Sequence, residues 1–291
     1  MMRILIVGCN GQVGRCLTNQ LENKATILAV DRNKLDITDN DSVRGVVAEF
    51  KPDYIINAAA HTAVDKAEDE IELAYEINAK GPENLALAAN ENAAVLIHIS
   101  TDYVFDGQYE NEYTEDMPTN PQSVYGESKL AGEIAVTSNT DKYLILRTSW
   151  VFGEHGNNFV KTMLRLAQTR DELNIVSDQF GGPTYSGDIA DAIIKMIVHI
   201  ESGNVAEWGV YHFSGAPHIS WDDFARIIFA KAYEHQRLAC IPKVNSILTS
   251  AYPTRAKRPT NSRLNCHKIK QKFNIDCSDW QNALNNIKEY R

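Results

Sequence analysis

The chain has 291 residues, 44% of them hydrophobic and 23% charged, and 38 acidic against 29 basic side chains give it a net charge of −9. This length and apolar content support one large or two modest domains with a real core and exclude a disordered chain. The acidic balance argues against nucleic acid as a partner, and an anionic diphosphate ligand would require cations gathered locally.

In chain order, the first apolar run is Ile4–Val7 within MMRILIVGCNGQVG. It breaks at Gly8, too early for a signal peptide, and reads as a strand. Gly8-Cys9-Asn10-Gly11-Gln12-Val13-Gly14 follows it and opens a helix. In that strand–turn–helix context the three glycines serve a tight turn, close approach to a pyrophosphate and close helix–strand packing, with the helix N-terminus facing the phosphates. The second run, Thr26–Val30, ends at Asp31, about 20 residues on, where an acidic side chain is expected to accept from the adenosine ribose. Arg32 follows at once and would instead pair with the 2′-phosphate of NADP, so the preference between NADPH and NADH stays open.

The third run, Tyr54–Asn57, leads into Ala58-Ala59-Ala60, small residues that permit close backbone approach. Ile71–Ala89 carries helical periodicity through Ala74, Ile77, Leu85 and Ala88. Val95–Ile99 and Tyr143–Leu146 are further buried runs. Such runs without polar alternation, separated by helices, predict a doubly wound α/β fold with a parallel Rossmann-type sheet. Between the last two runs lie Ser100-Thr101-Asp102 at a strand end and Tyr125-Gly126-Glu127-Ser128-Lys129 at a helix start. Four residues apart, Tyr125 and Lys129 share a helical face. A nearby ammonium is expected to lower the phenol's pKa from about 10 and fit it for proton transfer.

Beyond Trp150 the pattern loosens. Helices are expected at Asn157–Arg170, at Asp188–Ile200 with Asp188 as N-cap, and at Trp221–Tyr233, with a strand at Val210–Ser214 and irregular sequence at Ala251–Arg263. Residues 1–150 are therefore read as a dinucleotide-binding domain. Residues 151–291 are read mainly as a smaller C-terminal substrate-binding lobe, with some segments returning to the Rossmann sheet. No stretch approaches the roughly 20 apolar residues of a membrane span. The five cysteines are odd in number and lack C-x-x-C spacing. They point to free thiols in a reducing cytoplasm.

The G-x-x-G-x-x-G spacing and Asn57-Ala58-Ala59-Ala60 resemble the extended branch of the short-chain dehydrogenases/reductases. His61-Thr62-Ala63-Val64-Asp65-Lys66-Ala67-Glu68, the Ser100–Phe105 run, Tyr125–Glu133, Arg147-Thr148-Ser149-Trp150-Val151-Phe152, Asn157-Asn158-Phe159, Asp178-Gln179-Phe180-Gly181 and Arg258–Leu264 narrow this further. Together they resemble the dTDP-4-dehydrorhamnose reductase family over nearly the whole chain. The resemblance implies reduction of a 4-keto sugar on dTDP by NADPH or NADH, with Tyr125 donating the proton, Lys129 tuning it and holding the nicotinamide ribose, and Thr101, with Ser100 as its rival, as the carbonyl's hydroxyl partner. It assigns cofactor contacts to Gly11, Gln12, Val13, Asp31, Asp36, Ile37, Ala60, His61, Thr62 and Ile99, to which the glycine turn and strand ends add Gly8, Gly14, Arg32, Ala58 and Ala59. It assigns substrate contacts to Thr101, Asp102 and Trp150, and Asn158 in the matching Asn157-Asn158-Phe159 run and the cation Arg258 are read as further substrate contacts. Arg258 lies in a basic cluster with Arg255, Lys257 and Arg263, a candidate diphosphate clamp. Some family members hold magnesium with acidic side chains at a homodimer contact; Cys16 stands where such a carboxylate is expected, which leaves the metal open. The rival readings are an epimerase or dehydratase of the same fold, for which a second carboxylate after Asp102 is missing, and a non-catalytic subunit such as the regulatory subunit of methionine adenosyltransferase.

Overall fold

The computed structural model describes residues 1–290. Its first half supplies β1 (Arg3–Val7), α1 (Gln12–Leu21), β2 (Thr26–Val30), α2 (Asn40–Phe50), β3 (Tyr54–Asn57), the short α3 (Val64–Ala67) and α4 (Ile71–Tyr75), α5 (Gly81–Glu91), β4 (Val95–Thr101), α6 (Val124–Asn139) and β5 (Tyr143–Thr148). The second half supplies β6 (Val151–Phe152), α7 (Phe159–Ala167), β7 (Glu172–Val176), β8 (Phe180–Gly181), β9 (Thr184–Tyr185), α8 (Ser186–Glu201), β10 (Gly209–His212), β11 (Ile219–Ser220), α9 (Trp221–Glu234), β12 (Lys243–Ile247), β13 (Asn261–Ser262), α10 (His267–Phe273) and α11 (Trp280–Ala283).

Six strands form one parallel sheet in the order β2-β1-β3-β4-β5-β10. Both faces are covered, as the uninterrupted apolar runs require. Ile4, Ile6, Ile56, Ile97, Leu144 and Leu146 pack with side chains of α1, α8 and α10. The alternating neighbours Leu5, Val7, Ile55, Leu96 and Ile145 pack with α2, α5 and α6. The sheet order reverses between β1 and β3, so the carboxyl ends of these strands open the crevice where ligands bind in doubly wound sheets.

β10, from the second half, completes the sheet beside β5. α8 also returns, against α1. The remaining second half builds its own core from Phe152, Met163, Leu164, Phe224, Ile228, Phe229, Trp280 and Leu284. A parallel pair, β7 with β12, and a small sheet, β11-β8-β13, edge this lobe.

Several local expectations are corrected. Asp188 is not an N-cap: α8 begins two residues earlier after Tyr185, and Asp188 sits in its first turn, accepting from the Ser278 hydroxyl at 2.6 Å. The Ile71–Ala89 helix is not uniform, because a π turn over Glu76–Lys80 separates α4 from α5. The second-half strand runs Gly209–His212 rather than Val210–Ser214, and the irregular stretch at 251–263 contains β13.

Candidate active site

Two adjoining cavities lie at the carboxyl ends of the strands. The first, about 560 Å³, is lined by Gly8, Gly11, Asp31, Arg32, Asp36, Ile37, Ala58–Ala60, His61 and Thr62. The second, about 580 Å³, shares Gly11, Ala58–Ala60 and Thr62 and continues past Gln12, Val13, Ile99, Thr101, Asp102, Tyr125, Lys129 and Trp150.

The glycine turn is held against β3. Gly8 has φ +78°, and a Cβ there would fall 2.6 Å from the Ala59 nitrogen. Gly14 presses its Cα face against the Gly8 carbonyl, so its function is packing of α1 on the turn. Gly11 caps α1 with no side-chain acceptor, which leaves first-turn amides of the helix for an anion. At the rim, Asp31 accepts from the Asn10 amide at 2.8 Å and from the backbone of Asn33 and Lys34. Arg32 lies 3.7 Å from Asp36 and is largely exposed.

The loop after β3 is fixed by a residue that the sequence reading passed over. Asn78, in the π turn, accepts from the His61 amide at 2.8 Å and donates to the His61 carbonyl and the Ser128 hydroxyl. The extra residue of the π turn is the kind of helix irregularity found at functional sites. Asn78 thereby ties the cofactor-side loop to α6.

α6 carries Tyr125 and Lys129. Its N-cap is Ser123, whose hydroxyl accepts from the Gly126 amide. Tyr125, Lys129 and Glu133 follow at four-residue spacing and all face the sheet, buried. Tyr125 and Thr101 line the same cavity. Lys129 donates to the Ile99 carbonyl at 2.7 Å. Glu133 accepts from Ser100 at 2.5 Å and takes a bidentate pair from Arg147 at 2.9 and 2.7 Å. The expected lowering of the Tyr125 phenol by Lys129 is reversed here. Burial drives the phenol well above its ordinary value, and the same burial pushes Lys129 down to about 8. A raised phenol stays protonated at neutral pH, the state a proton donor needs.

Asp102, at the end of β4, is fully enclosed; burial outweighs its hydrogen bonds and moves the carboxyl up to about 6. Its Oδ1 accepts from Thr101 at 3.1 Å. A raised carboxyl favours the fold below the unfolded pKa near 3.8, and that contribution is lost as pH rises through about 6. Asp102→Asn cannot ionise. It is therefore expected to gain stability over the native chain by roughly 2–3 kcal/mol more at pH 8 than at pH 3.5. Denaturant melts of both proteins at the two pH values check this; a constant difference would place Asp102 in a solvated setting.

Trp150 has φ +49°, a strained backbone for a bulky residue. It is held by stacking on Trp221, with centroids 3.4 Å apart and planes 9° from parallel, and by Gly181, where a Cβ would approach its indole to 2.6 Å. Trp221 escaped sequence reading because nothing local links it to Trp150.

Two expected substrate residues are engaged within the protein. Asn158 is spent as the N-cap of α7, accepting from Lys161 and donating to Gln12 and to the Gly153 carbonyl; its neighbour Asn157 lines the cavity instead. Arg258 is not a free clamp, since it pairs with Asp65 at 2.7 Å. Arg255 pairs with Asp69, Lys257 donates to Gln122, and Arg263 is held by Asn261 and the Glu110 carbonyl. The basic segment thus straps the second lobe to the acidic residues after β3. Cys16 contacts the Ser186 hydroxyl, and among the described residues no three His, Cys, Asp or Glu side chains gather as a metal site.

The chain matches the family described as RmlD substrate binding domain over residues 2–290. It is 50% identical over 292 residues to a dTDP-4-dehydrorhamnose reductase of Aggregatibacter actinomycetemcomitans, covering 100% of this chain and 99% of that one. A crystal structure of a dTDP-4-dehydrorhamnose reductase from Clostridium acetobutylicum superposes with a TM-score of 0.91 at 42% identity, covering 98% of each chain. Another from Bacillus anthracis, in complex with NADP, gives 0.91 at 39% identity, again covering 98% of each.

Proposed function

The chain belongs to the RmlD substrate-binding-domain family, and from that premise we propose that it is an NAD(P)-dependent oxidoreductase reducing the 4-keto group of dTDP-4-dehydro-L-rhamnose to give dTDP-L-rhamnose. The observation that carries this reading is the meeting of Tyr125, Lys129, Thr101 and Asp102 in one cavity continuous with the glycine turn. The side chains fit a dinucleotide: uncapped α1 amides suit its diphosphate, the Ala58–Ala60 segment presents small side chains, and Asp31 with Arg32 stands at the ribose end. When bound, the nicotinamide supplies hydride.

The remaining work falls to this chain's own groups. Tyr125 holds the proton destined for the carbonyl oxygen, and Thr101 offers that oxygen a second hydroxyl. Lys129 keeps its amine on the same face one turn along. Trp150, braced by Trp221, presents a flat apolar wall to the deoxysugar. Arg258 reaches the diphosphate only by exchanging Asp65 for it. A dehydratase would need a second carboxylate after Asp102, and that position is Tyr103.

No described helix is long and apolar enough to cross a membrane. The proposed reaction places the protein in the cytoplasm, with a dTDP-sugar as its partner molecule and a homodimer as the assembly to be measured. Incubating the purified protein with dTDP-4-dehydro-L-rhamnose and NADPH or NADH, while following cofactor oxidation and the sugar product, tests the reading. Oxidation coupled to dTDP-L-rhamnose is expected; retention of cofactor with epimerised sugar and no net oxidation would overturn it.

A further inference from the structure

Behind the reacting face lies a buried polar chain that the proposed reaction does not itself use. Asn57 closes β3, His98 lies on β4 directly across from it, and Lys129 descends from α6; all three are buried. The Ala59 amide donates to Asn57 Oδ1 at 3.1 Å, which fixes the amide's orientation. Asn57 Nδ2 is therefore the atom 3.0 Å from His98 Nδ1, and it can only donate. His98 Nδ1 must accept, so its single proton resides on Nε2, which points at Lys129 Nζ from 3.4 Å. An ammonium has no lone pair to receive that proton, whereas a neutral amine does.

We propose that His98, oriented by Asn57, is a positioning residue that favours the amine form of Lys129 by donating Nε2–H to it. Its catalytic consequence rests on the reading above: once Tyr125 has given up its proton, the Lys129 ammonium returns one to the phenolate, is left as the amine to which His98 donates, and is reprotonated from solvent. Other groups around Lys129 do not supply this effect. Tyr125 and Glu133 face it from its own helix, and Glu133 favours the ammonium while being engaged by Arg147 of β5. Asp102 lines the same cavity and, when ionised, also favours the charged form. Burial opposes the charge, and the Nε2–H of His98 adds to that opposition. His98 itself is held neutral by burial and then by the Lys129 charge.

Two measurements on the intact protein decide the matter without needing turnover. In 15N-histidine-labelled protein, His98 should show the neutral Nε2–H tautomer throughout pH 6–9; an imidazolium or an Nδ1–H tautomer would refute the donor role. In 15N-lysine-labelled protein, the Lys129 amine, assigned by its loss in Lys129→Met, should titrate below the roughly 10.4 of a free lysine. His98→Gln frees the amide to turn its oxygen toward Nζ, and the Lys129 midpoint should then rise by about one pH unit. An unchanged midpoint would refute the proposal. With the dTDP-sugar and NADPH, the alkaline limb of kcat should move upward by the same interval. If the native protein does not turn over this substrate, the functional reading fails while the two titrations still stand or fall alone.

Discussion

Tyr125→Phe lowers turnover by about 100-fold or more, the usual scale for removing a general acid, and leaves cofactor and nucleotide-sugar binding near their native levels. The expectation follows from how little else the substitution changes. The ring stays packed in its edge-on contact with Tyr103, at 5.4 Å between centroids, and only the hydroxyl disappears. A hundredfold loss corresponds to about 2.7 kcal/mol in the barrier. Because burial raises the phenol, the native enzyme should keep its donor protonated through neutral pH, so any alkaline loss of activity there reports Lys129, pushed down to about 8. Steady-state kinetics combined with titration of NADPH and the sugar nucleotide checks this. Native turnover in the variant would take Tyr125 out of the mechanism, while equal losses in binding and turnover would make it a binding residue.

The largest stability effect is expected at Glu133. Its side chain and that of Arg147 are each 5% exposed, and the Glu133 carboxylate also receives the Ser100 hydroxyl. Removing one partner of such a pair leaves an uncompensated buried charge, at a cost of about 3–5 kcal/mol. The Arg147 Nη1 already lacks a partner among the described residues, so the stranded guanidinium has little to turn to. Glu133→Ala should therefore lower the urea midpoint strongly with the slope unchanged. The double variant Glu133→Leu with Arg147→Met should recover most of the loss, because an apolar pair of similar volume does not carry the desolvation cost. A loss below about 1 kcal/mol in the single variant would mean the pair behaves as a solvated one. The effect reaches the chemistry through α6: the same face that Glu133 anchors to β4 and β5 presents Lys129 and Tyr125 one and two turns earlier.

The strap from Arg255 to Arg263 shows how the protein's own acids can engage cations that residue type alone offers to a diphosphate. Local cations are what an acidic chain needs to hold a diphosphate, and the cluster is real. Yet Arg258 and Arg255 meet Asp65 and Asp69, residues nearly two hundred positions earlier. Asn158 is similar: Asn before an apolar periodic run is also an N-cap signal, and the helix start takes the side chain first.

What the sequence by itself determined is what short-range backbone physics encodes. Uninterrupted apolar runs marked β1 to β5, because strands buried on both faces need no polar alternation. Three spaced glycines between a strand and a helix marked the turn, because only they permit the approach of Gly8 to Ala59 and of Gly14 to Gly8. The four-residue spacing put Tyr125 and Lys129 on one helical face. The tertiary structure alone decided the charge states and the long-range partners. Whether Asp102 is raised, whether Lys129 is lowered and which way His98 carries its proton depend on desolvation and on atoms brought from other strands. The stacking of Trp150 on Trp221, the bidentate grip of Arg147 on Glu133 and the hold of Asn78 on His61 likewise join segments whose separation along the chain carries no periodic signal. Local pattern fixes which face a side chain occupies, and packing fixes what that face meets, because electrostatic energies are set by distance and burial rather than by sequence spacing.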